Sequence, residues 1–286
     1  MFPFRKILFP VDYSDPCKAL VPHVRAMARR HSAAIWLVHA YQVPFQAYAD
    51  SAVLDPMIPE ETQSSEEYSL QKFAKEAFTG EHVETFAELG EPGAVIDHFV
   101  QCEGTDLIML PTHGRGLVRR FLLGSVTAKV LHDVSCAVWT ATRAAYENRA
   151  PGFPHKSILC AVEDTEEAAE VLKGAAAVAA DYEAKLSIVH VLEMPASTRD
   201  YDFTPYRQEL LASANLKLRE LKAQLMIDAP HVVADGAIPD GIQAEAQRRN
   251  ADLIIVGRGR AQGVTGRAFS SLYQIVREST CPVLSI

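Results

Sequence analysis

The sequence predicts an α/β protein made of two tandem, five-stranded, doubly wound parallel-sheet domains. Three observations predict it. Short apolar runs rich in strand formers alternate with segments of helical spacing along the whole chain, the pattern of a parallel sheet covered by helices on both faces. The chain repeats itself once: Lys6–Pro44 aligns with Ser157–Pro195 without a gap, setting Ile7, Leu8, Val11, Val38, His39 and Pro44 over Ile158, Leu159, Val162, Val189, His190 and Pro195. The length of 286 residues suits two domains of about 140 residues each.

The elements follow in order. Lys6–Asp12 (KILFPVD) is a short strand. Asp15–Arg30 has helical spacing, with Ser14 or Asp15 placed to cap it. Ala33–Tyr41 is a second strand. A polar segment, Gln42–Ser65, leads into a helix over Glu66–Phe78, and the stretch Phe45–Ser69 could serve as a lid, as an interaction surface, or stay partly disordered. His82–Leu89 alternates like a strand. Pro92–Cys102 is a helix with proline in its first turn. Asp106–Pro111 is a buried strand, Ser125–Val134 a helix and Cys136–Ala141 a last strand. The second half gives the same order. Thr105–Pro111 (TDLIMLP) answers Ala251–Gly257 (ADLIIVG), and Pro151, Gly152 and Pro154 break the chain between the copies. The expected domains are residues 1–143 and 156–286, joined by a linker over 144–155. Their last strands would complete an internal pseudo-dimer.

Composition excludes several classes. A net charge of -8 and a pI near 5.7 give no support to nucleic-acid binding, which needs a basic surface. The first fifteen residues read as a strand rather than a secretory leader, and no apolar run reaches the ~18 residues of a membrane span. Cys17, Cys102, Cys136, Cys160 and Cys281 are scattered, without a C-x-x-C pair. That argues against structural zinc and a disulfide framework and for the cytoplasm. Cys136 and Cys281 open the last strands as small buried hydrophobes.

Doubly wound sheets bind ligands where strand order reverses, at the carboxyl ends of strands. Two segments lie there: the residues after the first strand, ending at Asp12, and Leu110–Thr127, LPTHGRGLVRRFLLGSVT. In the second, Gly114 and Gly116 let backbone N–H groups approach an anion, and Gly124-Ser125 opens a helix whose first N–H groups suit phosphate. The Ser125 hydroxyl and Thr127 would add donors; Arg115, Arg119 and Arg120 would add charge. The bland reading is a solvated loop whose glycines only turn the chain. Asp12 reads equally as a ligand contact and as a turn or helix cap. The segment is neither a G-x-x-x-x-G-K-[ST] loop nor a G-x-G-x-x-G fingerprint.

The spacing resembles the nucleotide motif of the universal stress protein family, G-x2-G-x9-G-[ST]: from Gly114, nine residues lead to Gly124-Ser125. The flanks THGRG and LLGSV and the later SCAVW are also similar, and the resemblance covers both halves. It implies two Rossmann-like, adenine nucleotide alpha hydrolase-like domains. It also implies a site for ATP, or for AMP or ADP, with Mg2+ as a companion ion. Pro10, Val11 and Asp12 would border adenine and ribose. Val38 to Ala40 would flank the base, and His113 and Gly114 would run along ribose and phosphates. Gly124, Ser125 and Val126 would bind phosphate oxygens, with Arg115, Gly116 and Thr127 beside them. Pro111 stands where the family has its first glycine, adding a ring and removing an N–H.

The second copy departs further. Gly257 is kept, but Arg260 and Ser270 replace the other two glycines, and Glu163 stands for Asp12. This half reads as structural or regulatory, or as a holder of another anion through Arg258, Arg260 and Arg267. His39 and His190 read as satisfied histidines at equivalent strand ends. No metal spacing and no G-x-S-x-G elbow occurs, and no residue is marked as a catalytic base, so slow ATP hydrolysis is the most expected. The leading expectation is a stress-response protein whose nucleotide alters its conformation or its contacts with unknown protein partners, as a homodimer or an internal pseudo-dimer. The alternatives are a scaffold without nucleotide, acting by dimerisation and protein contacts, and a nucleotide-dependent enzyme of related fold.

Overall fold

The structure, a computed structural model, describes residues 2–42, 60–114, 123–147, 153–193, 204–258 and 267–286. Its contacts divide the chain into two compact units, Pro3–Trp139 and Thr140–Ile286.

The first unit starts with β1 (Lys6–Pro10), α1 (Asp15–His31) and β2 (Ala34–Tyr41). It continues with α2 (Glu60–Ala77), β3 (Val83–Leu89), α3 (Pro92–Glu103), β4 (Leu107–Pro111) and α4 (Ser125–Asp133). β5 (Ala137–Ala141) carries the chain across the unit boundary, and a short helix, α5 (Arg143–Glu147), follows it. The strand order is β3-β2-β1-β4-β5. β1 runs parallel to β2, with Pro10 opposite Val38, and parallel to β4, with Leu8 opposite Ile108. Order therefore reverses between β1 and β4, as the sequence predicts, and the ends of these strands meet at one crevice.

The second unit repeats the plan: β6 (Ser157–Ala161), α6 (Ala168–Tyr182), β7 (Lys185–Leu192), α7 (Thr204–Gln224), β8 (His231–Asp235), α8 (Ile238–Arg249), β9 (Leu253–Val256), α9 (Arg267–Glu278) and β10 (Val283–Ser285). Its order is β8-β7-β6-β9-β10.

Each core sits between sheet and helices. Ile7, Leu8, Phe9, Leu37 and Leu107–Met109 are fully enclosed with Leu20 and Val24 of α1, as are Ile158, Leu159, Ile188 and Ile254 with Leu172 of α6. Burying such side chains stabilises the fold by about 1.5–3 kcal/mol each. The repeat extends to polar detail. Asp106 accepts from the backbone N–H groups of Arg5 (2.8 Å) and Lys6 (3.2 Å), and Asp252 does the same for Lys156 (2.8 Å) and Ser157 (3.0 Å). Each aspartate thus satisfies donors at the start of the strand beside its own.

Of the two candidate caps of α1, Ser14 is the cap, its hydroxyl accepting from the Cys17 N–H at 3.3 Å. One element differs from the sequence reading: α2 starts at Glu60 rather than Glu66. Its first turns carry no apolar stripe, and they are held by local side-chain bonds such as Gln63 to Glu67 at 2.9 Å. Of the stretch Phe45–Ser69 read as a lid, residues 45–59 lie outside the described residues.

Candidate functional site

The crevice of the first unit is built by three strand ends and one helix start. β1 delivers Pro10 and Val11. Val11 is buried and donates its N–H to the Val38 carbonyl at 2.8 Å. Val38 is buried in β2 and Ala40, two residues on, is half-exposed. After Val11 the chain turns sharply, because Tyr13 adopts a left-handed conformation at φ 60°, a state costly for a bulky residue. The Tyr13 ring lies between His39 and Phe73, with centroids 4.7 and 5.7 Å away, and this packing holds the turn.

That turn directs the Asp12 carboxylate. Its Oδ1 accepts from the Ser14 N–H (3.0 Å) and from the Ser14 hydroxyl (2.6 Å). Its Oδ2 lies so close to Gly114 that a Cβ built there would be 2.3 Å away. Asp12 is thus both a turn residue and a wall of the crevice, and the two sequence readings of it are compatible.

β4 ends at Pro111, which is buried. Its carbonyl accepts from the Thr127 hydroxyl at 2.9 Å. The next residue, Thr112, accepts from the Gly124 N–H at 2.9 Å. These two bonds pin the start of α4 against the end of β4. Gly124 is the N-cap and brings no side-chain cap, so the N–H groups of Ser125, Val126 and Thr127 have no intrahelical acceptor. The first intrahelical bond runs from Ala128 N–H to Gly124 O at 2.9 Å. Three donors and the positive end of the helix dipole therefore converge where an anion would sit. The Thr127 hydroxyl is not a fourth donor, because its proton is committed to Pro111. His113 contacts the Thr112 hydroxyl through Nδ1 at 2.9 Å, and its enclosed Nε2 has no hydrogen-bond partner among the described residues. Arg115 and Gly116, with Arg119 and Arg120, lie outside the described residues.

The second unit differs at each of these points. Glu163, in the place of Asp12, is exposed. α9 begins at Arg267, so Ser271 and Leu272, the counterparts of Ser125 and Val126, stand in its second turn. Their N–H groups belong to the i→i−4 ladder and are withdrawn from any ligand. The corresponding cleft encloses about 660 Å³, open solvent at its mouth included, and is walled by Val162, Val189, Val191, Ile242, Leu272 and Ile275. Arg258 lies on its wall, 8% exposed, with its N–H on the Ile286 carbonyl at 3.2 Å. Most of this cleft's lining is aliphatic, with Glu163, Glu167 and Arg258 among its charged residues.

The model of the Universal stress protein family matches the chain twice, over residues 3–141 and 154–286. The chain belongs to this family. Among curated relatives of the family, a universal stress protein of Thermus aquaticus is 30% identical over 136 residues, covering 47% of this chain and 96% of that protein. A universal stress protein of Methanocaldococcus jannaschii is 28% identical over 139 residues, covering 47% and 80%. Each is similar to one copy of the repeat. Among solved structures, the universal stress protein of Archaeoglobus fulgidus superposes with a TM-score of 0.66 at 19% identity, covering 98% of this chain and 95% of that one. A functionally unknown protein of Pseudomonas aeruginosa gives 0.69 at 16%, covering 99% and 92%. The tandem universal stress protein fold is therefore shown across both halves. Among the described residues no helix is long and apolar enough to cross a membrane, and no group of three or more His, Cys, Asp or Glu could hold a metal ion.

Sequence reasoning missed two contributors. Ser14 was read as a helix cap and is also the holder of Asp12. His190 was read as satisfied; its Nδ1 contacts the Val162 carbonyl at 2.8 Å, but its Nε2 has no partner among the described residues. His39 has both: Nδ1 on the Val11 carbonyl at 2.6 Å and Nε2 3.5 Å from Glu66. No signal in the strand sequence separates the two histidines. The difference lies in the helix that faces each of them.

Proposed function

We propose that the first unit binds ATP or a related adenine nucleotide, AMP or ADP included, and that the second unit binds none. Occupancy would alter the shape presented to protein partners during stress. The observation that carries this reading is the uncapped start of α4, pinned by Gly124 on Thr112 and Thr127 on Pro111, beside an Asp12 carboxylate fixed by Ser14. The helix start takes the phosphates. Asp12 accepts from the ribose hydroxyls, and the base lies along Pro10, Val11, Val38 and Ala40. Arg115, Gly116, His113 and Gly114 border the phosphate path. Mg2+ would enter with the phosphates.

The site binds rather than turns over its ligand. Hydrolysis needs a group that positions and deprotonates water, and His113 Nδ1 is already engaged by Thr112. Slow hydrolysis is the most the proposed site would support. A cytoplasmic location fits a nucleotide of this class.

One observation favours a second reading, a scaffold that works by dimerisation and protein contacts without nucleotide. Pro111 brings a ring, and no N–H, to the position that Gly257 holds in the second unit. One experiment separates the readings: denature the purified protein, assay the supernatant for adenine nucleotides, and titrate the refolded or nucleotide-stripped chain with ATP. Bound nucleotide, or saturable binding of one ATP per chain, supports the first reading. No released nucleotide and no binding establishes the second.

A further inference from the structure

α2 is fastened unevenly. In its second half Leu70 is fully enclosed, and Phe73 packs edge-on against the buried Phe78 at 6.4 Å, which in turn meets Phe9 of β1 at 6.1 Å. From Glu61 to Ser69 no residue is buried. This half reaches β2 through Glu66, whose carboxylate stands 3.5 Å from His39 Nε2. A cleft of about 900 Å³, open solvent at its mouth included, runs beside it, with Lys18, Ser69, Lys72 and Glu76 in its lining. Few buried contacts beside open space give a segment low local stability.

The contacts of this half lead to the crevice. His39 sets Nδ1 on the Val11 carbonyl at 2.6 Å. Its ring lies 4.7 Å from that of Tyr13, and Tyr13 lies 5.7 Å from Phe73. Tyr13 stands between Asp12 and Ser14. Its left-handed backbone brings the N–H and hydroxyl of Ser14 back onto Asp12 Oδ1 at 3.0 and 2.6 Å, a turn closed by the aspartate side chain. Two side chains of α2 therefore hold the residues on either side of Asp12: Glu66 holds Val11 through His39, and Phe73 packs on Tyr13 directly. The second unit, without the uncapped helix start, lacks this arrangement too. Asp164 takes the place of Tyr13 and ties to Lys217 of α7 at 2.6 Å, both ends more than half-exposed. Such a pair holds a backbone weakly.

We infer that Glu66 and Phe73 are positioning residues for the crevice. Acting through His39 and Tyr13, they set the direction of the Asp12 carboxylate, and a ligand on that carboxylate tightens α2 in return, because coupling between two places is reciprocal. The first half of α2 is then the surface whose order changes with occupancy. The response to ligand rests on the nucleotide reading of the crevice; the positioning of Asp12 does not.

The test follows amide hydrogen exchange by NMR on the full chain, without nucleotide and with excess ATP, and ATP binding by calorimetry on the same samples. Without nucleotide, Phe73→Leu speeds exchange at Ser14, whose N–H rests on Asp12, about fivefold, the effect of losing one aromatic pair. Glu66→Gln speeds it severalfold, and Phe73→Tyr, which keeps the ring, leaves it unchanged. Leu37 in the core of β2 stays as it was, which a general loss of stability would not allow. With ATP, exchange along Glu66–Leu70 slows in the unaltered chain. Tyr13→Gly suits the left-handed backbone better than tyrosine but cuts the ring contacts, so it binds ATP more weakly and loses the response of α2. Unchanged exchange at Ser14 in both Phe73→Leu and Glu66→Gln, or ATP bound with no change along α2, would overturn the inference. If ATP does not bind while both variants loosen Ser14, the nucleotide reading fails and the positioning of Asp12 by α2 stands.

Discussion

Gly124 donates its backbone N–H to the carbonyl of Thr112 at 2.9 Å, and a Cβ placed on Gly124 would stand 3.1 Å from that same oxygen. The helix start is thus pressed onto the end of β4 so closely that a side chain has little room. The contact fixes the direction in which the first three amides of α4 point.

Gly124→Val is expected to abolish ATP binding in calorimetry. Its branched side chain must push the start of α4 off Thr112, an overpacking that costs about 1–3 kcal/mol of stability. The folded variant, verified by circular dichroism, should still melt cooperatively a few degrees lower. Normal ATP affinity in this variant would show that the start of α4 is not the phosphate site.

Gly114→Ala separates recognition from stability. Its Cβ would meet the far end of the Asp12 side chain at 2.3 Å, so the carboxylate moves and the backbone need not. The expected outcome is a severalfold loss of nucleotide affinity with little change in the denaturant midpoint.

Pro111→Gly is expected to raise ATP affinity if the ring occupies ligand space. It loosens the unfolded chain as well, at a cost of about 0.4–1 kcal/mol, so urea unfolding and ATP titration should move in opposite directions.

The cysteines give a pH prediction. Burial pushes the thiols of Cys17 and Cys160 up to about 12 from the ordinary value of 9.0. Below pH 9 folded and unfolded chains both keep these protons. As pH rises from 9.0 towards about 12, only the unfolded chain releases them, and stability falls through that window. Urea midpoints measured from pH 8 to 11 should drop, and less so in Cys160→Ala, compared with its own value at pH 8. At neutral pH, Cys102, which is exposed, should be the first of the five to react with a thiol reagent.

The inner strands were legible because β1, β2, β4 and β5 are apolar runs buried along most of their length; β3 was legible by its alternation, and the internal repeat fixed the correspondence between the halves. Ile7 and Leu8 find Ile158 and Leu159 at once. The early start of α2 was not legible, because Glu60–Ser65 offers no apolar periodicity to read. The bond from Ser14 to Asp12 depends on a left-handed Tyr13, and nothing in the sequence DYSD marks that residue as leaving the common backbone regions. In the second unit the substitutions were visible as letters. Their physical effect, an additional helical turn that takes up the amides of Ser271 and Leu272, required coordinates.

One hydroxyl, that of Ser14, accepts from the first turn of α1 and donates to Asp12. A genetic screen for chains that stay folded but lose their ligand should therefore return changes at position 114 and almost none at position 14. At Ser14, selection on solubility and selection on recognition act through the same atom, and variation there is constrained twice over.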